Sequence, residues 1–303
     1  MGILIDRGTT ILVQGITGRE ASFFTRESLD YGARVVAGVT PGKGGQEVYG
    51  VPVYDCVRNA LRNHRIDAGV VSVPPFAVRD AALESIESGI RLLVVMTERV
   101  PRRDVAALLD AAREHGARII GPNSLGLISP GESKLGAVGG NVENTLRTFA
   151  KGPVGVMSRS GGMTSEFANI LGQEGLGQST CVSIGGDPLI GSTFQDLFPL
   201  FEEDRQTRAV ALFCEPGGIM EEEFARFYSS RTNPKPVVAF IAGRFADQMP
   251  GTRFGHAAVI VEGDRGSTRK KRALLKDAGV QVADRLSDVP KFIKELLSHG
   301  HVH

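Results

Sequence analysis

Short runs rich in Val, Ile and Leu alternate along this chain with stretches in which apolar residues recur every three or four positions. A strand buried on both faces is apolar throughout, whereas the helix covering it is apolar on one stripe. The alternation therefore marks parallel strands joined by crossover helices. The runs predict strands over 11–16, 34–39, 68–74, 92–97 and 118–121, then over 153–158, 180–184, 209–214, 236–241 and 257–261. The plainest helix follows Asp104, where Val105, Leu108, Leu109 and Ala112 share one face and Gly116 stands where a terminating glycine belongs. From Gly131 to Gly152 no period is sustained, and the alternation then restarts. The pattern predicts an α/β chain of two doubly wound domains with a boundary near residue 148.

Composition agrees with two cores. The 303 residues are 42% apolar and carry a net charge of +1, which suggests neither a disordered chain nor a nucleic-acid footprint. Cys56, Cys181 and Cys214 share no metal or redox spacing, so reduced, buried thiols in a cytoplasmic compartment are expected. No charged leader precedes Ile3-Leu4-Ile5, and no apolar run reaches the length of a membrane span. The basic run Arg269-Lys270-Lys271-Arg272 reads as a solvated helix face, and His299-Gly300-His301-Val302-His303 as a frayed end; neither is given a role, and no metal site is expected.

Chemistry concentrates at turns that follow strands. Gln14-Gly15-Ile16-Thr17-Gly18-Arg19-Glu20 leaves the first strand and opens a helix, where small residues let backbone N–H groups approach a phosphate. A dinucleotide site would need a carboxylate at the end of the second strand. Here that end reads Thr40-Pro41-Gly42-Lys43-Gly44-Gly45, and Lys43 suits an extra phosphate such as the one on the adenosine end of coenzyme A. A plain tight turn is the competing reading. In the second half, Met157-Ser158-Arg159-Ser160-Gly161-Gly162-Met163 repeats the device; the free N–H groups of the helix start, with the Ser158 and Ser160 hydroxyls, form an anion cradle. Gly185-Gly186-Asp187-Pro188 is a further strand-end turn. Glu215 ends an apolar strand, and His256 sits between Gly255 and Ala257, too small to cover its ring. A histidine alone is no site, but a carboxylate on one ring nitrogen fixes the tautomer and leaves the other nitrogen nucleophilic. The cradle, Glu215 and His256 together suggest a histidine that carries a phosphoryl group.

These motifs resemble the α subunit of succinyl-CoA synthetase, one of the nucleoside-diphosphate-forming acyl-CoA ligases. The resemblance covers nearly the whole chain and rests on Gln14 to Gly18, Thr40 to Gly45, Gly121-Pro122-Asn123, Ser158 to Gly161, Gly185 to Pro188 and Gly255-His256-Ala257. It implies a Rossmann-like CoA-binding domain over 1–147 and a flavodoxin-like, doubly wound ligase domain over 148–303 that bears the phosphohistidine, His256. Carried over by position, Thr17, Gly18, Arg19, Glu20, Lys43, Met96, Thr97 and Glu98 contact coenzyme A, and Glu215 orients His256. Asn123, Ser158, Ser160, Gly161, Gly162 and Ser165 are assigned to the acid and phosphate. The family's Mg-ATP or Mg-GTP site lies mainly on a separate ATP-grasp β subunit, and no Gly-x-x-x-x-Gly-Lys-Ser/Thr loop occurs here. The implied reaction comprises an acyl phosphate, phosphoryl transfer at His256, and attack of the CoA thiolate on the acyl carbon.

Departures from the family bear on the acid. Succinate-specific members carry Thr-Leu-Thr-Tyr-Glu where this chain has Gly162-Met163-Thr164-Ser165-Glu166, so Ser165 replaces a tyrosine and widens the pocket. Gly121-Pro122-Asn123-Ser124-Leu125-Gly126 is closer to the acetyl-CoA synthetase branch, whereas Gly136-Ala137-Val138-Gly139-Gly140 and the Ser-Gly-Gly-Met turn look like ATP-citrate lyase and citryl-CoA synthetase. A citrate or other polycarboxylate ligase subunit is thus an alternative acid choice. A CoA-binding paralogue without catalysis and a nicotinamide dehydrogenase are the alternatives of other classes.

Overall fold

The computed structural model describes residues 2–249, 251, 256, 259 and 266–299. The first half runs β1 (Thr10–Gln14), α1 (Arg19–Asp30), β2 (Arg34–Val39), β3 (Glu47–Val48), β4 (Val51–Tyr54), α2 (Val57–Leu61), β5 (Ala68–Val71), α3 (Val78–Glu87), β6 (Leu92–Val95), α4 (Arg102–Glu114) and β7 (Arg118–Ile120). The second continues with β8 (Gly126–Ser129), β9 (Ser133–Leu135), α5 (Val142–Thr148), β10 (Lys151–Ser158), α6 (Gly161–Gln173), β11 (Gln178–Ser183), α7 (Phe194–Glu203), β12 (Ala209–Cys214), α8 (Met220–Ser229), β13 (Val237–Ile241), α9 (Thr268–Asp277), β14 (Gln281–Ala283) and α10 (Asp288–His299). Among the described residues no helix is long and apolar enough to cross a membrane.

Each half forms one sheet. The first has the order β3-β4-β2-β1-β5-β6-β7 and is parallel apart from the β3–β4 hairpin. Strands are added on one side of β1 up to β4 and on the other from β5, so the Gly15 turn opens at a topological switch point. The second sheet has the order β14-β13-β12-β10-β11-β8-β9; its parallel part winds both ways from β10, the flavodoxin-like arrangement. Its switch point lies between β10 and β12, which end at Ser158 and Cys214. One apolar cluster joins the two sheets, with Val13, Val94 and Ile120 in the same core as Leu127, Met157 and Phe198.

Strand membership changes before residue 148. β8 pairs antiparallel with β11 and β9 with β8, so residues 126–135 hydrogen-bond into the second sheet although they precede the expected boundary. The aperiodic Gly131 to Gly152 stretch thus contains β9, α5 and the start of β10. The strand expected over 257–261 lies, apart from Val259, outside the described residues, as do residues 300–303 of the tail. Cys181 and Cys214 are buried free thiols; Cys56 is only half-buried, at the start of α2. The basic run is a solvated face only in part: Arg269 and Lys270 are exposed, but Lys271 is wholly buried and Arg272 is paired with Asp284.

Candidate functional site

At the switch point of the first sheet, Gly15 adopts φ +81°, and a side chain there would run into the carbonyl of Ser72. Only glycine lets the β1–α1 turn lie this close to the end of β5. Gly18 then caps α1 without a side-chain hydrogen bond, so the first-turn N–H groups have no acceptor within the helix. They open beside a pocket of about 620 Å³ lined by Gln14, Gly15, Thr17, Gly18, Val39, Thr40, Pro41, Ser72, Val73, Pro74, Ala77, Asp80, Ala81 and Glu84. An elongated ligand with phosphate at the helix end and apolar contacts further in fits this wall.

The residues expected to contact coenzyme A divide about this pocket. Thr17 and Gly18 line it, and the Thr17 hydroxyl donates to that of Thr40 at 3.2 Å. Arg19 and Glu20 are exposed on the first turn of α1, and Lys43 is exposed on the Pro41–Gly45 loop, whose first residue lines the pocket. Met96, Thr97 and Glu98 follow β6; the Thr97 hydroxyl donates to the Val73 carbonyl at 2.7 Å, while Glu98 is exposed. The Ser72-Val73-Pro74 edge and the Ala77–Glu84 side of α3 were not anticipated, because they carry neither a glycine turn nor a charge pattern.

The second site lies where β10, β11 and β12 end. Glu215 follows β12 and is nearly buried, and its Oε2 stands 2.8 Å from His256 Nδ1. With the proton on Nδ1 donated to the carboxylate, Nε2 keeps its lone pair. The Glu215 hydrogen bond raises the His256 pKa above 6.5; burial opposes it, the Glu215 charge adds to it, Arg159 lowers it and Asp187 raises it slightly. The imidazole lies on Gly186, where an added Cβ would meet Cγ, Nδ1 and Cδ2 at 2.5, 2.6 and 2.7 Å. The Gly185–Pro188 turn therefore supports the ring through the absence of a side chain.

At the turn from Ser158 to Gly162, where an anion cradle is expected, the two serines take different parts. α6 starts at Gly161, with Ser160 as N-cap accepting from the Met163 N–H at 3.5 Å. Ser158 is wholly buried; its hydroxyl donates to the Ser160 carbonyl at 2.7 Å and accepts from the Ser160 N–H at 3.1 Å. Ser158 thus shapes the turn, and the half-buried Ser160 hydroxyl is the one whose proton can serve an anion. The Ser160 hydroxyl takes the Met163 N–H and leaves those of Gly161 and Gly162 without an acceptor in the helix, and Ser165 follows Gly161 on the same face at the spacing of one turn. Asn123 donates from Nδ2 to Asp187 Oδ1 at 3.1 Å, and its N–H reaches the Thr97 carbonyl at 3.0 Å. Asn123 therefore links the pocket edge of the first sheet to the turn beneath His256. Lys271 and Glu221, both wholly buried under Glu215, were also not anticipated.

Comparison with known proteins follows the same division. A family model described as a CoA binding domain matches residues 6–99, and one described as CoA-ligase matches residues 157–281. The chain is 46% identical over 297 residues to the Succinate--CoA ligase (ADP-forming) subunit alpha 1 of Archaeoglobus fulgidus, covering 98% of this chain and 99% of that one. It is 43% identical over 296 residues to an ADP-forming sulfoacetate-CoA ligase subunit of Acholeplasma sp, covering 98% of each. The structure of Methanosaeta concilii ATP citrate lyase in complex with (3S)-citryl-CoA matches with a TM-score of 0.91 at 24% identity, over 99% of this chain. This chain spans about half of that polypeptide, 52%, and the likeness is one of fold.

Proposed function

The chain belongs to the family of α subunits of ADP-forming succinate–CoA ligases and is an acid–thiol ligase subunit with a CoA-binding domain, and we propose that His256 is its phosphoryl carrier. The observation that carries this reading is the Glu215–His256 contact of 2.8 Å, made on Gly186 among the strand ends that also present the start of α6. In the forward direction Nε2 attacks the γ-phosphorus of the nucleotide, and the bond to the departing diphosphate breaks. A carboxylate oxygen of the acid then takes the phosphoryl group from His256, giving an acyl phosphate and restoring the imidazole. The CoA thiolate attacks the acyl carbon and phosphate leaves. Glu215 holds the Nδ1 proton throughout, so the nucleophile is always Nε2. The Ser160 hydroxyl and the first-turn N–H groups of α6 stabilise the charge in flight as fixed donors.

On this reading the Thr17 hydroxyl, the Arg19 side chain and the backbone N–H groups of Arg19 and Glu20, approached past Gly18, receive the CoA phosphates at the open end of α1, Lys43 takes the outermost one, and Met96, Thr97 and Glu98 guide the chain toward Asn123. Mg-ATP or Mg-GTP is supplied by an ATP-grasp β subunit, so the working enzyme is a heteromer, and the free thiols suit the cytoplasm. The acid is a di- or tricarboxylate, succinate first, with Ser165 beside the cradle widening the choice. Incubation with such a β subunit and γ-labelled ATP tests the reading. Acid-labile, base-stable label on the chain, lost in His256→Ala, is expected; equal labelling of both proteins would end it. A panel of succinate, sulfoacetate and citrate assayed for CoA-dependent diphosphate release identifies the acid.

A further inference from the structure

The basic run on α9 conceals a residue aimed at the candidate site from behind. Lys271 is 0% exposed, and its ammonium has three protons and three acceptors: the Glu215 carbonyl at 2.8 Å, the Gly217 carbonyl at 2.5 Å and Glu221 Oε2 at 2.5 Å. Glu221, also 0% exposed, opens α8, and its Oε1 accepts the Glu215 N–H at 3.4 Å. Both backbone polar groups of Glu215 thus end on one buried ion pair. Arg159 joins it from the turn after β10, with Nη1 at 3.6 Å from Glu221 Oε1 and 3.5 Å from the Gly217 carbonyl. Burial pushes the Glu221 carboxyl up, but Lys271 and Arg159 outweigh it and hold it below its ordinary value.

Stability alone gives such a pair little reason to exist, because well-packed apolar residues often replace a buried ion pair at no loss. Geometry supplies a reason. Glu215 sits on a turn rather than within β12, and without an anchor its carboxylate would swing with the Glu215–Gly218 loop. We propose that Lys271 and Glu221 are positioning residues: through the backbone of Glu215 they hold its carboxylate on His256 Nδ1 and so fix the tautomer and aim of the ring. The catalytic consequence rests on His256 being the phosphoryl carrier; the clamp itself does not. Among the described residues, the charged groups facing the imidazole are Glu215 from the end of β12, Arg159 from that of β10 and Asp187 from the turn after β11, and the clamp acts on the first of these.

Two variants of the full chain test this. Lys271→Met leaves Glu221 paired with Arg159, and K271M/E221Q keeps the net buried charge of the cluster unchanged. Long-range proton–nitrogen spectra of the chain report the tautomer and titration of His256 without any partner. With a β subunit and labelled ATP, single-turnover labelling reports the rate. The expected result is a folded protein in which His256 titrates at lower pH than in wild type and samples both tautomers. Labelling should slow about 10- to 100-fold, as removal of an outer-shell partner typically does, with an unchanged KM for CoA. Wild-type titration and tautomer in both variants would overturn the proposal. So would loss of the near-UV circular dichroism in both, which would make the pair a pillar of the fold. Should wild type take no label, the phosphohistidine reading falls, and the His256 titration alone decides the clamp.

Discussion

Gly186→Ala isolates the support under the histidine. Gly186 lies outside the positive-φ region, so alanine is compatible with its backbone and the perturbation is one methyl group. That methyl would stand 2.5 Å from Cγ, 2.6 Å from Nδ1 and 2.7 Å from Cδ2 of His256, whereas ordinary contact begins at 3.4 Å. The ring must retreat by about 1 Å, which stretches the 2.8 Å contact with Glu215 beyond hydrogen-bond range. A displacement of about 1 Å at a reacting group costs on the order of 100-fold in rate, about 2.7 kcal/mol of activation free energy. Single-turnover phosphorylation by labelled ATP and a β subunit should therefore fall about 100-fold, while calorimetric CoA binding, made by the first sheet, stays at the wild-type value. A variant labelled within about threefold of the wild-type rate would show that Gly186 does not set the position of the ring, and the geometric argument for His256 would lose its support.

Glu215→Gln should move the pH dependence of labelling. The neutral imidazole is the nucleophile, so the wild-type rate rises with pH through a midpoint above 6.5, raised chiefly by the Glu215 hydrogen bond. In the variant burial and Arg159 act unopposed by that carboxylate, so the midpoint moves to lower pH while the plateau falls about 10- to 100-fold; an unmoved midpoint would refute the assignment. Lys134 on β9 offers a prediction about stability. It is 0% exposed, donates to the Gly140 carbonyl at 3.3 Å, and burial lowers its pKa from 10.5 to about 8, against a small opposing effect of Glu27. Between these values the unfolded chain binds the extra proton, so stability rises with pH through that window, and below it the charged lysine costs about 3 kcal/mol. Lys134→Met should raise stability in urea at pH 7 by about 2 kcal/mol, after about 1 kcal/mol for the lost hydrogen bond, and the gain should vanish above pH 10.5. Equal destabilisation at both pH values would refute it.

How far the sequence reveals this arrangement depends on whether a residue's function can be seen in its neighbours along the chain. β1, β2, β10 and β12 are legible because buried parallel strands are apolar throughout, and the Gly15 and Ser160 turns because backbone crowding demands small residues there. β8 and β9 are not, since two short antiparallel strands, one just ahead of the glycine-rich stretch and one within it, leave too few positions for a period. Glu215 and His256 stand out as polar residues beside apolar runs. Lys271 lies among Arg269, Lys270 and Arg272, and Glu221 among Glu222 and Glu223, so nothing local separates the buried charge from its paired or exposed neighbours. Their partners are carbonyls and a carboxylate some fifty residues away, a distance that only the fold closes.

The joint between the sheets connects the two sites. The Gly121 N–H donates to the Ile184 carbonyl at 3.2 Å, the Gly191 N–H to the Gly121 carbonyl at 2.8 Å, and the Ser124 hydroxyl to the Ser183 carbonyl at 2.5 Å. All three sew residues 121–124, where the chain leaves one sheet for the other, to the end of β11 and the turn that carries Gly186. Asn123 completes the joint, with its N–H on Thr97 beside the pocket and its amide on Asp187 beside the histidine. On the proposed chemistry a thiol delivered from the first sheet and a phosphoryl group carried on the second must meet the same acid within a few tenths of an ångström, since larger errors are expensive in rate. A flexible linker could not meet that demand. A joint of four residues bonded to both sites can: β8 and β9 enter the second sheet directly after it, ahead of residue 148, and the Asn123 carbonyl accepts from the N–H of Gly186, on which His256 rests.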